Sequence, residues 1–361
     1  MSTAPLLSAI VASGCAASAA SWREGAVGPQ IDVFYATDRR RMHSPPAEPC
    51  SAGPIRSPQV QFGGERGGLL SFGVFPVKLP TTQRLGVAPP TIERRACSSP
   101  DPVYLAGALA KSEEEFARSV GNALSWAPVK EILVFIHGYD FGFDEAALWA
   151  AQLKNDVHFE GVIVVYSWPS RGSRWSYLAD LKNADWTTPH LVDFLDTLAS
   201  GANGAPIHLF AHSMGGRPML SAPHGLAVQR REGPPPRFGQ IIFAAPDVDA
   251  EVFRQLMPPV LALAERVTLY TASDLALRIS GWLLAHPRAG DSGSGLVLVN
   301  GMDTVDVTAV DDSRMRHDYF LENERVLADI FQLLTYAAPP QRRFRLFGVQ
   351  LHGFLVWQFR S

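Results

Sequence analysis

The sequence predicts an α/β fold built on one mostly parallel, doubly wound sheet of eight strands with helices on both faces. Three observations predict it. From residue 131 to residue 336, apolar runs of strand length alternate with segments of helical spacing. The apolar runs are continuous, as in strands covered on both faces, and lack the in-out alternation of a half-exposed sheet. Regular β-α-β-α order makes successive strands parallel through right-handed crossovers. All strand carboxyl ends then lie on one edge, where such folds place their reactive groups.

The elements follow in chain order. Residues 31–37 (IDVFYAT) form a first strand, and 69–79 (LLSFGVFPVKL) a second that Pro80 ends. The Gly-rich stretch from Gly63 to Gly68 lacks a Lys-Ser/Thr pair and a following helix, so it reads as a turn and not a phosphate loop. Ser112 precedes Glu113, Glu114 and Glu115, acids suited to a helix N-terminus. A strand at 132–136 leads to a helix capped by Asp144 and running to about 157. The next strand is 162–166. A helical stretch over 173–200 is interrupted at Pro189. Strands at 207–211 and 240–244 flank the central motif. A helix at 250–264 is bent by Pro258 and Pro259. Strands at 267–271 and 305–310 follow, and a helix at 317–336 closes the regular part. The loop at 280–295 reads as a lid or as a surface excursion.

Composition excludes several classes. The chain has 361 residues, 47% of them hydrophobic, and a net charge of −3 from 32 Lys+Arg against 35 Asp+Glu. So apolar a chain buries a large core, which excludes disordered and fibrous proteins. It has no basic surplus to recruit nucleic acid. No uncharged apolar run reaches the roughly 20 residues of a spanning helix. Three cysteines are too few for a disulfide scaffold or a four-cysteine zinc site.

Residues 1–20 are mostly small or apolar and read as an export or lipoprotein signal. Ala12-Ser13-Gly14-Cys15 resembles a lipobox, with membrane anchoring through Cys15 and a periplasmic or membrane-bound location. The small residues 16–20 offer a competing A-x-A cleavage site, and a cytoplasmic leader is the fallback. Cys50 and Cys97 are candidates for a disulfide, or two unrelated loop thiols. Residues 21–336 read as one domain, with N-terminal strands and long loops over 21–130 and the catalytic core over 131–336. The tail, 337–361, reads as a strand pair turning at His352-Gly353, with membrane-surface contact as the alternative.

The central motif is Ala211-His212-Ser213-Met214-Gly215, a G-x-S-x-G elbow with Ala in its first slot, where a strand runs into a helix. The sharp turn demands small flanking residues and presents Ser213 at the sheet edge. Pro218, five residues on, predicts a bent or tightened first helical turn. An alcohol needs an adjacent base to attack a carbonyl. In this architecture the order is Ser, acid, His. His317, after the last core strand, is the candidate base, with His286 as fallback. Asp274 is the candidate acid, with Asp247 or Asp249 as alternatives; Asp311 and Asp312 read as solvated loop charges. A tetrahedral intermediate needs two N–H donors, and Met214 and Tyr139 are placed to supply them. His137 reads as a hydrogen-bonding support for that loop. His208 and His212 are four apart but on a strand, so zinc-protease geometry is absent. Ser167-Trp168-Pro169-Ser170 either lines the site or packs a loop.

Several stretches together resemble the bacterial alpha/beta hydrolases catalogued as domain of unknown function nine hundred. They are residues 34–39 (FYATDR), 135–139 (FIHGY), 166–170 (YSWPS), Tyr177 with Asp180, 211–215, 245–249 (APDVD), Tyr270 with 273–277 (SDLAL), and His317. The resemblance spans about 31–336 and implies an alpha/beta-hydrolase fold with a Ser213, Asp274, His317 triad. Many members look like exported lipoproteins, in keeping with Cys15. The chain departs from the family at Pro218 and in its long Cys50 and Cys97 loops. The expected activity is hydrolysis of small or lipid-like carboxylic esters through an acyl-enzyme, with no metal or organic cofactor required. Acyl transfer or amide cleavage by the same triad is one alternative. An envelope binding or structural protein with an idle site is the other.

Overall fold

The computed structural model describes residues 29–42, 61–80, 85, 104–105, 108–229, 236–293, 295–310 and 317–360. Cys15, Cys50, Cys97, Asp311, Asp312 and the leader at 1–20 lie outside them.

Twelve strands form one sheet among the described residues. In chain order they are β1 (Gln30–Met42), β2 (Gln61–Lys78), β3 (Tyr104–Leu105), β4 (Leu109–Lys111), β5 (Ile132–Ile136), β6 (Val162–Ser167), β7 (Ile207–His212), β8 (Phe238–Ala244), β9 (Ala264–Thr271), β10 (Met302–Asp306), β11 (Leu346–Leu351) and β12 (Phe354–Phe359). The spatial order is β11-β12-β10-β9-β8-β7-β5-β6-β1-β2-β3, with β4 also on β2. The run from β1 through β6, β5, β7, β8, β9 and β10 to β12 is parallel throughout. The remaining strands are antiparallel at the two ends.

The doubly wound class therefore stands, but the sheet is wider than eight strands. The second predicted strand is antiparallel to β1, and the tail supplies a parallel strand instead: Val305 of β10 pairs with Trp357 of β12. The tail pair is thus an integral sheet edge. The Gly63–Gly68 turn is a second correction. Those residues continue β2, with irregular pairing of Arg39 to Arg66 and Arg41 to Phe62. A Cβ at Gly64 would lie 2.7 Å from the Arg171 Cα, and one at Gly67 would lie 2.6 Å from the Arg39 carbonyl oxygen. Glycine is there because backbone passes close on either side.

The helices are α1 (Glu113–Trp126), α2 (Phe143–Asp156), α3 (Tyr177–Trp186), α4 (Thr188–Gly201), α5 (Gly216–Gln229), α6 (Ala250–Leu263), α7 (Leu275–Leu283), α8 (Tyr319–Glu322) and α9 (Glu324–Tyr336). Ser112 caps α1 in a full capping box with Glu115. Asp144 is not a cap. The cap of α2 is Gly142, whose N–H donates to Glu145 at 3.4 Å. The break between α3 and α4 falls at Thr187, which leaves Pro189 in the first turn of α4, where its missing N–H costs nothing. The closing helix is split at Asn323, whose side chain caps α9. The last predicted core strand also shifts, ending at Asp306 rather than 310.

Two apolar layers sandwich the sheet. Leu133, Phe135 and Phe210 face α2 and α9. Ile132, Val134 and Ile136 face the layer built by α1, α4, α5 and α6. Each such side chain, fully buried, contributes on the order of 1.5–3 kcal/mol. That double burial explains the continuous apolar runs and fixes the carboxyl ends of β5, β7, β8 and β9 as one rigid rim.

Candidate active site

The rim carries strain where β7 meets α5. Ser213 has φ +51°, a left-handed value that costs a non-glycine residue on the order of 1–3 kcal/mol. Residues Ser213–Gly215 form a tight 3-10 turn before α5, the tightening that Pro218 predicts. A Cβ at Gly215 would collide with the His137 carbonyl and lie 2.7 Å from that of Ile136. Across the turn, a Cβ at Gly138 would come within 3.0 Å of the Ser213 Cβ. The loop after β5 can approach the serine only because Gly138 has no side chain.

His317 stands between the other two predicted partners. Its Nε2 is 2.8 Å from Ser213 Oγ, and its Nδ1 is 2.6 Å from Asp274 Oδ2. Asp274 follows β9, is fully buried, and spends its other oxygen capping α7 through the Leu277 N–H at 3.0 Å. That cap fixes the carboxylate's orientation. In the neutral ring, Nδ1–H donates to Asp274 and Nε2 accepts from the serine hydroxyl. Burial opposes the imidazolium, but the Asp274 charge and hydrogen bond, reinforced by Asp318 and Asp247, lift the His317 pKa to about 9.

Met214 is buried directly after the serine, and Tyr139 lies one residue beyond Gly138, its ring edge-on to Tyr177 at 5.5 Å. His137 is held as a support. Its ring stacks between Phe141 and Trp168, and its Nδ1–H donates to Gly138 O at 2.7 Å. Burial and the nearby Arg39 charge hold it well below its ordinary pKa, so it stays neutral. Trp168 donates to His137 O at 2.8 Å, which places the Ser167–Ser170 stretch as the packing under the loop.

The other candidates stand elsewhere. His286 is exposed, 3.6 Å from Asp249. Asp249 caps α6. Asp247 accepts from Tyr177 and Ser280, each at 2.6 Å, and its backbone N–H donates to Ser213 O. The 280–295 segment is no free lid: Ala289 and Gly290 hydrogen-bond back to Val248 and Pro246, and Ala272 to Gly290.

Sequence reasoning missed Arg39 as a working residue. It is buried, and its guanidinium donates to Ser170 O and Phe141 O at 2.8 Å and to Ser167 Oγ at 2.9 Å. It ties β1 to the segments after β5 and β6. The available signal was a charge at the end of an otherwise buried strand. Among the described residues no group of three His, Cys, Asp or Glu could hold a metal ion, and no helix is long and apolar enough to cross a membrane.

With this geometry in place, comparison with known proteins is informative. The family described as alpha/beta hydrolase of unknown function (DUF900) matches residues 112–336. The chain belongs to this family. It is an alpha/beta hydrolase, and the matched region runs from the cap of α1 to the end of α9. No curated protein matches the chain. Among solved structures, it is similar to a predicted CIB-like hydrolase from Thermoplasma acidophilum, at 15% identity over 58% of this chain and 88% of that one, TM-score 0.34. It is also similar to a cutinase from Trichoderma reesei, at 10% identity over 62% and 89%, TM-score 0.29. A phospholipase from Legionella pneumophila matches at 14% identity over 63% and 67%, TM-score 0.33.

Proposed function

We propose that this alpha/beta hydrolase cleaves carboxylic esters by nucleophilic catalysis, with Ser213, His317 and Asp274 as the triad. One observation carries the reading: the His317 ring sits within hydrogen-bond reach of the Ser213 hydroxyl on one side and the Asp274 carboxylate on the other.

The Ser213 oxygen attacks the ester carbonyl as its proton passes to His317 Nε2. The C–O π pair moves onto the carbonyl oxygen, and the backbone N–H groups of Met214 and Tyr139 receive that oxyanion. Collapse expels the alkoxide, which takes the proton from His317 and leaves as alcohol. Water then attacks the acyl-serine, gives its proton to His317, and the acid departs as Ser213 regains it. Asp274 stays ionised and stabilises the imidazolium at each stage. No step calls for a redox group.

A fluorophosphonate probe tests this. Labelling of the wild-type protein, absent in Ser213→Ala, with turnover of short-chain nitrophenyl esters, is the expected result. A folded wild-type protein that neither labels nor turns over any ester of the panel overturns it.

A further inference from the structure

A second feature lies on the far side of α7. An open crevice of about 500 Å³ is lined by Leu277, Arg278, Trp282, His286, Arg288 and Asp291, among others. Arg288 is 3% exposed, yet its guanidinium makes no hydrogen bond among the described residues, and its Nε is buried without a partner. Its nearest carboxylate is Asp247 at 3.5 Å, already engaged by Tyr177 and Ser280. A buried arginine ordinarily satisfies most of its five donors, because an unpaired buried charge is costly. Here the unmet capacity belongs to a side chain that lines an open crevice.

The other walls define what fits. Arg278 is half-exposed at the rim and is held by Asp291 at 3.2 Å and Ser273 at 2.8 Å, which preorganises its charge. Asp247 faces Arg288 and Asp291 holds Arg278, so the two guanidiniums are balanced in charge, and what the crevice offers is the donors of Arg288 that no described residue accepts. Trp282, 84% exposed, supplies an aromatic wall, and its ring stacks on no other ring among the described residues. Surface tryptophans of that exposure are uncommon because they forfeit burial. We propose that this crevice binds a monocarboxylate with an apolar body, the carboxylate on Arg288 and Arg278 and the body along Trp282. The planar fork of arginine matches a carboxylate in two parallel hydrogen bonds.

Sodium benzoate is the probe, titrated into the Ser213→Ala protein with sodium chloride at matched ionic strength as control. Turnover plays no part, so failure here is distinguishable from failure of the ester reading. The expected result is saturable quenching of tryptophan fluorescence and a saturable rise in Tm of about 2 °C or more. Arg288→Gln weakens benzoate at least about tenfold, as loss of a charge-assisted pair does. Arg278→Gln at the rim weakens it about threefold to tenfold, and decides the matter if Arg288→Gln fails to fold. No saturable response beyond the chloride control overturns the proposal. So does unchanged benzoate affinity in a folded Arg278→Gln protein. Phenyl phosphate binding about tenfold more tightly than benzoate overturns the assignment to a monocarboxylate.

Discussion

Two buried polar clusters share strand β9 and behave as opposites. At its carboxyl end, Asp274 holds His317 against a serine in a strained turn. Further back on the same strand, Tyr270 donates to Asp329 at 2.6 Å, and Arg343 donates to the same carboxylate oxygen at 2.9 Å. The second cluster is enclosed: the Asp329 and Arg343 side chains have no exposure. Burial pushes the Asp329 carboxyl up and the Tyr270 hydroxyl well up, with Arg343 opposing both. The first cluster keeps His317 partly accessible and leaves its far nitrogen facing the Ser213 hydroxyl. One strand thus carries a lock and a reactive group, and the difference lies in which side chain is left able to exchange a proton.

Mutations separate the two. Ser213→Ala should lower kcat on a nitrophenyl ester by about 10⁴- to 10⁶-fold with little change in Tm, measured by steady-state kinetics and calorimetry. Arg343→Met should do the reverse. Leaving Asp329 without its cation should cost about 3–5 kcal/mol in urea unfolding, while kcat per folded molecule holds. A large kcat loss at unchanged stability in Arg343→Met would erase the distinction.

The pH dependence sharpens it. The proposed mechanism needs neutral His317, and its raised pKa means the imidazolium dominates the free protein near neutrality. The pH profile of kcat/KM should therefore rise through a midpoint near 9, and Asp274→Asn should move that midpoint down. The same shift affects stability. A folded pKa above the unfolded 6.5 makes the contribution complete below about 6.5 and lost as pH rises through about 9. Calorimetry across pH 6 to 10 reads that loss, and Asp274→Asn should flatten it. The smallest effect concerns the turn itself. Ser213→Gly relieves φ +51° and should raise stability by about 1 kcal/mol while abolishing turnover.

What could be read from the residues follows physical range. The inner parallel strands β5, β6, β7 and β8 were legible because a strand buried on both faces carries few polar positions, whereas β10, with Asp303, Thr304 and Asp306, was misplaced. Ser213 was legible because the elbow's small neighbours are adjacent in sequence. Asp274 and His317 were placed by chain order and by resemblance, since a separation of 43 along the chain carries no local sign of contact. The glycines of β2 read as a turn because their reason, the backbones of Arg39 and Arg171, lies far along the chain. Asp144 read as a cap because its side chain can accept from backbone N–H groups and that of Gly142 cannot, and the local sign of the true start was Glu145, three residues after Gly142. Arg39 and Arg288 were not read as working residues because their surroundings are assembled by folding, and nothing local separates Arg39 from the Arg40 and Arg41 that follow it.

The tail strand has a consequence for biosynthesis. β12 runs parallel to β10 although it follows every other strand of the described residues, and the matched region stops at Tyr336. A nascent chain released at that point would hold Ser213, Asp274 and His317 yet leave the outer side of β10 bare, an open ladder that invites sticking to neighbours. Translation must run another two dozen residues before that flank is sealed, so a fusion or truncation there should damage solubility before it damages chemistry.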